Sequence, residues 1–184
     1  MPDALMPLAR PLAGLARLAL AGLVAGLAAL GAARAEPVPL PVPAGPVILS
    51  VTGEIAVANA GAAAEFDLEM LRALPVRTIR TTTIWTEGEL ELTGVPLQAL
   101  LARLGVAGGR LTATAINDYA IEIPVSDAVP GGPIVAYLEN GQPMARRKRG
   151  PLWVVYPFDS DPAYRSEVIY SRSIWQLDRL HVGR

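Results

Sequence analysis

Four consecutive cations, Arg146 to Arg149 in the stretch MARRKRGPLWVVYP, stand directly before a Gly-Pro pair and a run of large apolar residues. Arg guanidinium groups offer planar N–H donors, so a loop of this kind could hold an anion or a polar ring. The other interpretation is a solvated loop, which is the usual place of a charge run. The choice between the two depends on the elements that position the loop.

Cysteine is absent from the 184 residues, and histidine occurs once, as His181. The chain therefore has no disulfide bond, and it lacks the thiolate that binds soft metals or acts as a nucleophile. His181 lies near the last residue without a neighbouring ligand or catalytic partner, so we expect it on an exposed β-edge. Glu87, Glu89 and Glu91 alternate, which predicts a solvated strand face rather than a metal site.

Residues 1–35 have the pattern of a secretory signal peptide. Arg10 and Arg17 precede or flank an uncharged apolar run at 18–30, and ARA at 33–35 forms a cleavage site. The run is shorter than the about 20 residues of a membrane span, although an uncleaved anchor is the alternative. Cleavage after Ala35 predicts a periplasmic protein of 149 residues.

Without the leader's three Arg and one Asp, the net charge changes from −1 to −3. This charge argues against nucleic-acid binding, for which a basic surface is typical.

The first half of the mature chain predicts short elements. Residues 36–46, EPVPLPVPAGP, are Pro-rich and predict an extended linker, and a strand follows at 47–52. The stretch at 66–74 predicts a short helix that Asp67 caps and that ends before Pro75. The β-branched stretch at 76–86 predicts a strand that carries Trp85. GVPLQALLARLGV at 94–106 predicts the clearest helix, whose apolar face contains Leu97, Leu100, Leu101 and Leu104.

From Arg110 onward the hydrophobic period is 2, which indicates strands. The strands are predicted within 119–125, 133–144, 151–157 and 172–182, with a turn at Asn140-Gly141. The whole pattern predicts an α+β domain over residues 47–184. Its β core is mixed and mostly antiparallel, and it carries two or three short helices.

The order of these motifs resembles the oxidoreductase molybdopterin-binding domain of the sulfite-oxidase type. The resemblance covers about residues 47–182 and rests on the GVPL helix, the NDY segment, the ENGQPM turn and the RGPLWVVYP strand. In that family a cysteine on the strand after the first helix binds molybdenum. Here the corresponding region reads IRTTTIWTEGE, Arg149 replaces the family's loop histidine, and Trp153 replaces the arginine after Pro-Leu.

A smaller branch of the fold, made of exported proteins without cysteine, resembles this chain more closely. Its motifs T-x-W-T, N-D-Y, R-x-K-G-P-L-W and S-R-S-x-W-Q-L correspond to residues 83–86, 117–119, 147–153 and 171–177, with Arg149 in place of Lys. The resemblance implies a reduced pterin of the tetrahydropterin type as ligand, without a metal. It also implies a partner, the periplasmic domain of a membrane-bound enzyme of cyclic-di-GMP metabolism.

For such a ligand, two residues have the most direct roles. Asp118 could accept two parallel hydrogen bonds from the donor edge of the pterin, or it could form an Asx turn. Trp85 could stack on the ring face, or it could pack in the core, where we also expect Trp153 and Trp175.

The cations supply the remaining contacts of the predicted site. In an extended chain Arg147 and Arg149 would share a face toward the ring, while Arg146 and Lys148 would face water. Gly150 would allow the backbone to approach the ligand closely, and Arg172 could contact the ligand or pair with an acidic residue. The predicted cofactor-binding residues are Trp85, Asn117, Asp118, Tyr119, Arg147, Arg149, Gly150 and Arg172.

Three functions are compatible with these features. The first is a periplasmic pterin-binding receptor that regulates a membrane-bound signalling enzyme. The second is a molybdopterin-dependent oxidoreductase, which the missing thiolate disfavours. The third is a docking protein that has the fold without a ligand. Fold alone does not decide among them.

Overall fold

The computed structural model describes residues 38–184, so the predicted signal peptide and its cleavage site lie outside the described residues. The strands are β1 (Leu49–Gly53), β2 (Ala64–Phe66), β3 (Arg77–Thr82), β4 (Glu89–Pro96), β5 (Arg110–Ala115), β6 (Ala120–Pro124), β7 (Ile134–Glu139), β8 (Gln142–Pro143), β9 (Leu152–Val155) and β10 (Trp175–Gly183). The helices are α1 (Leu68–Arg72), α2 (Leu97–Arg103) and α3 (Glu167–Arg172), and 3-10 turns occur at Val125–Asp127 and Pro162–Tyr164.

The strands form one sheet in the order β2-β1-β10-β9-β7-β4-β3. β5 pairs with β10 on one side and with β6 on the other, and β8 pairs with β7. Within residues 38–184 the pairing of β1 with β10 is parallel and the other strand pairs are antiparallel. The protein is therefore a sheet-dominated α+β domain with short helices, as the sequence predicts.

α2 packs one face on the sheet, and this confirms the clearest helix prediction. Its apolar face is buried, with 0 to 2% of each side chain exposed, at Leu97, Leu100, Leu101 and Leu104. A fully buried leucine contributes about 1.5–3 kcal/mol to stability. Gly105 adopts a φ of 71° at the end of the helix, a conformation that favours glycine.

The turn between β7 and β8 also follows the prediction. Asn140 and Gly141 have φ values of 50° and 73°, which are typical of a two-residue hairpin turn. Asn140 Oδ1 accepts a hydrogen bond of 2.9 Å from the backbone N–H of Glu91 in β4. The hairpin is thereby fixed to the neighbouring strand.

The Pro-rich segment is part of the domain surface, whereas the sequence predicts a linker there. Leu40 is buried, and the carbonyl of Pro41 accepts a hydrogen bond of 2.7 Å from Asn59 Nδ2. Asp67 caps α1 through Met70 N–H, as predicted, and also accepts hydrogen bonds from the backbone N–H groups of Ala44 and Gly45. Residues 38–46 are thus held by side chains that come later in the sequence.

Three local predictions differ from the structure. The strand predicted at 76–86 ends at Thr82, so Trp85 lies in a turn instead. α3 precedes the last strand and has no counterpart in the predicted elements. His181 is exposed, but it lies on β10, which pairs on both sides with β1 and β5 and is no edge. None of the helices between residues 38 and 184 is long and apolar enough to cross a membrane.

Candidate functional site

A cleft of about 320 Å³ opens between the turn after β3, the loop from β5 to β6, and the chain from α3 into β10. Its volume is at the lower end of the range for small-molecule sites, about 300–1,000 Å³. None of its lining residues carries a charge. The lining consists of Trp85, Ala115, Asn117, Tyr119, Tyr170, Ser171, Ser173, Ile174 and Trp175.

Trp85 is the centre of an aromatic cluster at one wall of this cleft. Its ring centroid lies 5.5 Å from that of Trp175 and 5.8 Å from that of Tyr170, both in edge-to-face geometry. The buried rings of Trp153 and Phe158 lie 6.0 and 6.1 Å away. Such contacts contribute roughly 0.5–1.5 kcal/mol each beyond burial. Trp85 therefore packs against the core, which is one of the two roles weighed from the sequence, and it also lines the cleft.

Hydroxyl groups and one carboxylate fix the turn that carries Trp85. The hydroxyls of Thr83 and Thr86 lie 2.7 Å apart, and Trp85 N–H donates to Thr83 Oγ1 at 3.2 Å. At the end of β3, Asp159 accepts hydrogen bonds from the backbone N–H and the hydroxyl of Thr82. The backbone N–H of Thr82 holds the pKa of Asp159 below its usual range, with further help from Arg165.

The wall that residues 170–175 contribute to the cleft is fixed to β9. Trp153 Nε1–H donates to the carbonyl of Ser173 at 3.1 Å, and the backbone N–H of Val154 donates to the carbonyl of Ile174 at 2.9 Å. The hydroxyl of Ser173 donates back to the carbonyl of Ile169 in α3. These bonds hold the chain that leads into Trp175.

Arg172 belongs to the same segment of chain but does not line the cleft. Its Nη1 donates to Asp127 Oδ2 at 2.9 Å, and the same oxygen accepts a hydrogen bond of 2.6 Å from the hydroxyl of Tyr156. Burial raises the pKa of Tyr156, and the hydrogen bond with Asp127 raises it further. Of the two roles that the sequence left open for Arg172, the structure shows the pairing with an acidic residue.

The loop between β5 and β6 contributes Asn117 and Tyr119 to the cleft but not Asp118. Asn117 Oδ1 accepts a hydrogen bond of 3.2 Å from the backbone N–H of Tyr119, which is the Asx-turn geometry. Asp118 adopts a φ of 65°, and its carboxylate lies 2.7 Å from Arg179 Nη2, with 81% of the side chain exposed. The hydrogen bond with Asp118 is the main cause of the raised pKa of Arg179.

The cationic turn, residues 146–149, differs in geometry from the extended loop that we predicted. It is a turn in which the backbone N–H of Lys148 donates to the carbonyl of Ala145 at 2.9 Å. Arg147 is exposed and does not line the cleft. Arg149 donates to Glu139 through Nε at 3.0 Å, and its Cζ lies 5.3 Å from the ring centroid of Trp153. Arg147 and Arg149 therefore do not share a face, because a turn lacks the alternation of extended chain.

Gly150 has a structural reason to be glycine. A Cβ at this position would lie 2.0 Å from the carbonyl oxygen of Met144. The residue is buried against that backbone, and it does not line the cleft. We predicted a close approach of this backbone to a ligand, and the structure shows a close approach to Met144 instead.

Five polar groups of the cleft make no hydrogen bond to any of residues 38–184. Trp85 and Trp175 each offer an indole N–H, Tyr119 and Tyr170 each offer a hydroxyl, and Asn117 offers its amide N–H₂. Their side chains are partly or largely exposed. The cleft therefore combines aromatic faces with donors and acceptors that are available to a ligand.

Tyr170, Ser171, Ser173 and Trp175 are lining residues that the predicted set lacks. The sequence around 166–170 contains a signal that would have placed Tyr170, because Ser166 caps α3 through the N–H of Ile169. Trp175 was expected in the core, yet 38% of it is exposed at the cleft. No comparable sequence signal distinguishes it from Trp153.

Residues 38–184 contain no cluster of three or more His, Cys, Asp or Glu side chains that could hold a metal ion. The chain as a whole has no cysteine. The thiolate ligand that the sulfite-oxidase-type resemblance would require for molybdenum is thus missing from the donor set, and the residues present do not fit that metal.

Comparisons with known proteins identify a fold. No protein-family model matches the chain, and no curated protein matches its sequence. Among solved structures, the chain is similar to the crystal structure of the sulfane dehydrogenase SoxCD from Paracoccus pantotrophus, with a TM-score of 0.53 and 20% identity. The match covers 73% of this chain and 37% of that chain. At this identity the likeness shows a shared fold.

Proposed function

We propose that this domain is a pterin-binding receptor of the periplasm. The observation that carries the proposal is the uncharged aromatic cleft of about 320 Å³, whose indole, phenol and amide groups are available to a flat polar ring. The motif resemblance to cysteine-less pterin-binding proteins supports it, since the T-x-W-T and N-D-Y motifs supply Trp85, Asn117 and Tyr119 to the same cleft.

The lining chemistry suits a pterin in two ways. Trp85, Trp175 and Tyr119 offer aromatic surfaces for the bicyclic ring. The amide of Asn117 and the hydroxyls of Tyr119 and Tyr170 can donate to or accept from the pyrimidine edge. In this proposal the polar contacts come from Asn117 and the tyrosines. Asp118, Arg149 and Arg172 are engaged by Arg179, Glu139 and Asp127, respectively.

A second function, an oxidoreductase, is favoured by one observation, the fold that the chain shares with a sulfane dehydrogenase. The missing thiolate argues against it. An elemental assay of the purified mature protein separates the two functions. We expect no stoichiometric molybdenum, whereas about one molybdenum atom per chain would favour the oxidoreductase.

The test of pterin binding is an anaerobic titration of the mature protein with a tetrahydropterin, followed by tryptophan fluorescence. Two of the three tryptophans line the cleft, so a bound ring should quench their emission. Tyr170→Phe and Asn117→Ala should weaken binding by roughly 2- to 13-fold each, the effect of one hydrogen bond. Val168→Ala, an exposed position on α3 that does not line the cleft, is the matched control. Unquenched emission at millimolar pterin would contradict the proposal.

The receptor role and the periplasmic location are further parts of the proposal. The predicted leader supports export, and the motif resemblance supports a partner in a membrane-bound enzyme of cyclic-di-GMP metabolism. Fractionation of cells that express the full chain should yield a periplasmic protein whose first residue is Glu36. A full-length cytoplasmic protein that begins at Met1 would contradict the location.

A further inference from the structure

Most cationic side chains of the described residues are engaged within the protein. Three of the sixteen Lys and Arg residues lie before residue 38, which leaves thirteen in the described range. Eight of these form ion pairs with carboxylates, and Arg77 and Arg103 donate to backbone carbonyls. The other three are consecutive: Arg146, Arg147 and Lys148.

These three side chains are exposed and make neither a hydrogen bond nor an ion pair to residues 38–184. The rest of the described range has ten cations against fifteen carboxylates, so the three-cation patch is a local positive region on a negatively charged molecule. A solvated loop would allow cations of this kind to move freely. Here the backbone beneath them is fixed.

Gln176 fixes that backbone from β10. Its N–H donates to the carbonyl of Arg149 at 2.9 Å, and its side-chain Nε2 donates to the carbonyl of Arg146. The backbone N–H of Gly150 closes the turn on Ala145 at 3.1 Å. The turn therefore presents its three cations from a fixed position, which reduces the entropy lost when a partner binds.

We propose that Arg146, Arg147 and Lys148 form a docking patch for an acidic protein surface. Two of the three are arginines, whose planar guanidinium groups pair with carboxylates through two parallel hydrogen bonds. Charge complementarity of this kind steers association and orients the partner.

An anionic membrane is the other class of partner with this charge, and the observations favour a protein. Lipid-binding clusters have about 4–8 Lys or Arg residues. This patch has three available cations, because Glu139 pairs with Arg149. The negative charge of the remaining surface also opposes adsorption to an anionic bilayer.

The test uses a fluorescein-labelled oligoglutamate peptide as the probe of acidic protein chemistry, with anisotropy measured at physiological ionic strength. Arg146→Gln/Arg147→Gln/Lys148→Gln should weaken binding by about tenfold, the combined effect of three exposed charge pairs. Its urea unfolding midpoint should stay close to that of the parent, since the side chains make no hydrogen bond or ion pair that the substitutions would remove.

The matched control removes the same charge elsewhere, through Arg80→Gln/Arg110→Gln/Arg184→Gln, at three well-exposed side chains. We expect a loss below about twofold, because screening confines charge effects to about 8 Å at this ionic strength. Equal losses of peptide affinity in both variants would show a non-specific charge effect and would overturn the docking role of the patch. Failure of the parent to bind the peptide would do the same, as would stronger binding to phosphatidylglycerol vesicles than to the peptide.

A tetrahydropterin titration of the patch variant separates this inference from the proposed function. Unchanged pterin affinity is expected, because the three side chains do not line the cleft. A loss of pterin affinity would place them in the ligand site and overturn the docking role. If the parent binds the peptide but no pterin, the docking patch stands and the proposed function fails.

Discussion

Trp85 and Trp175 lie in the same cleft but differ in their surroundings. Trp85 contacts four aromatic rings at centroid distances of 5.5 to 6.1 Å. Trp175 contacts two of the cluster's rings and is 38% exposed. At the residue scale, we therefore expect Trp85 to contribute more to the stability of the fold, and Trp175 to contribute at least as much to binding.

We expect Trp85→Ala to lower the free energy of unfolding by roughly 3 kcal/mol, the low end for a large aromatic core residue. Trp175→Ala should lower it by less than half of that amount and should weaken pterin binding by at least as much as Trp85→Ala does. Urea unfolding and the anaerobic titration measure the two effects. Ile84→Ala, at an exposed neighbour in the same turn, should change neither quantity. Equal stability losses for the two tryptophans would contradict the assignment.

Asn117 and Asp118 are neighbours with opposite placements. Asn117 lines the cleft, whereas the carboxylate of Asp118 pairs with Arg179 at the surface. Asp118→Asn should therefore leave pterin affinity within about twofold of the parent and should change stability by less than about 1 kcal/mol, as expected for an exposed ion pair. Asparagine also tolerates the positive φ of this position. A loss of affinity greater than tenfold in Asp118→Asn would restore the ligand role that the sequence suggested.

At the scale of the elements, Gln176 joins three segments of chain at the start of β10. It adopts a φ of 54°, and the register of β10 with β9 shifts between Trp175 and Leu177. Its carbonyl accepts a hydrogen bond from the backbone N–H of Ile116, next to the Asn117 loop, while its own N–H and side chain reach the cationic turn. One irregular residue thus connects a wall of the cleft to the cationic turn.

Gln176→Ala removes the side-chain hydrogen bond to the carbonyl of Arg146 but keeps the backbone bonds. We expect faster amide hydrogen exchange at Lys148 and Gly150, because the turn opens more often when one of its ties is lost. Mass-spectrometric exchange of the peptide that contains residues 144–151 is the measurement. Gln98→Ala, an exposed glutamine on α2, should leave this peptide unchanged. Equal exchange in the parent and Gln176→Ala would show that the side-chain bond does not hold the turn.

At the scale of the whole molecule, one carboxylate ties the segment at residues 38–46 to the domain. Asp67 accepts a backbone hydrogen bond of 2.8 Å from Met70 in α1 and others of 2.8 and 2.9 Å from Gly45 and Ala44. The hydrogen bonds from Met70 and Gly45 are the main causes of a pKa below the ordinary value of 3.8. A lowered pKa stabilises the fold at pH values above the ordinary pKa, and the contribution is lost as the pH falls through the folded pKa.

Asp67→Asn should therefore be less stable than the parent at neutral pH. The difference in urea midpoint between the two proteins should shrink once the pH falls below about 4. Glu69→Gln, at an exposed neighbour in the first turn of α1, controls for the loss of one negative charge. A difference that stays constant from neutral pH down to about pH 3 would contradict the assigned origin of this stability.

The sequence by itself determined most elements of the fold, because local rules govern them. The leucine spacing of α2, the Asp67 cap and the Asn140-Gly141 turn each depend on residues within a few positions of one another. Composition also fixed the absence of a thiolate. The extent of the strand before Trp85 was wrong because β-branched residues have only a weak preference, and the hydrogen bonds of Thr82 and Thr83 end that strand.

Only the tertiary structure decided which candidate residues share a cleft. Trp85, Asn117 and Tyr119 come together with Tyr170 and Trp175 through pairings of strands far apart in sequence. Three charged candidates do not line the cleft, because each forms an ion pair that the local sequence does not reveal. Asp118 pairs with Arg179, Arg149 with Glu139 and Arg172 with Asp127. An ion pair depends on distance in space, and sequence patterns report distance along the chain. For the same reason, the run Arg146 to Arg149 divides into one structural arginine and three available cations only in the folded protein.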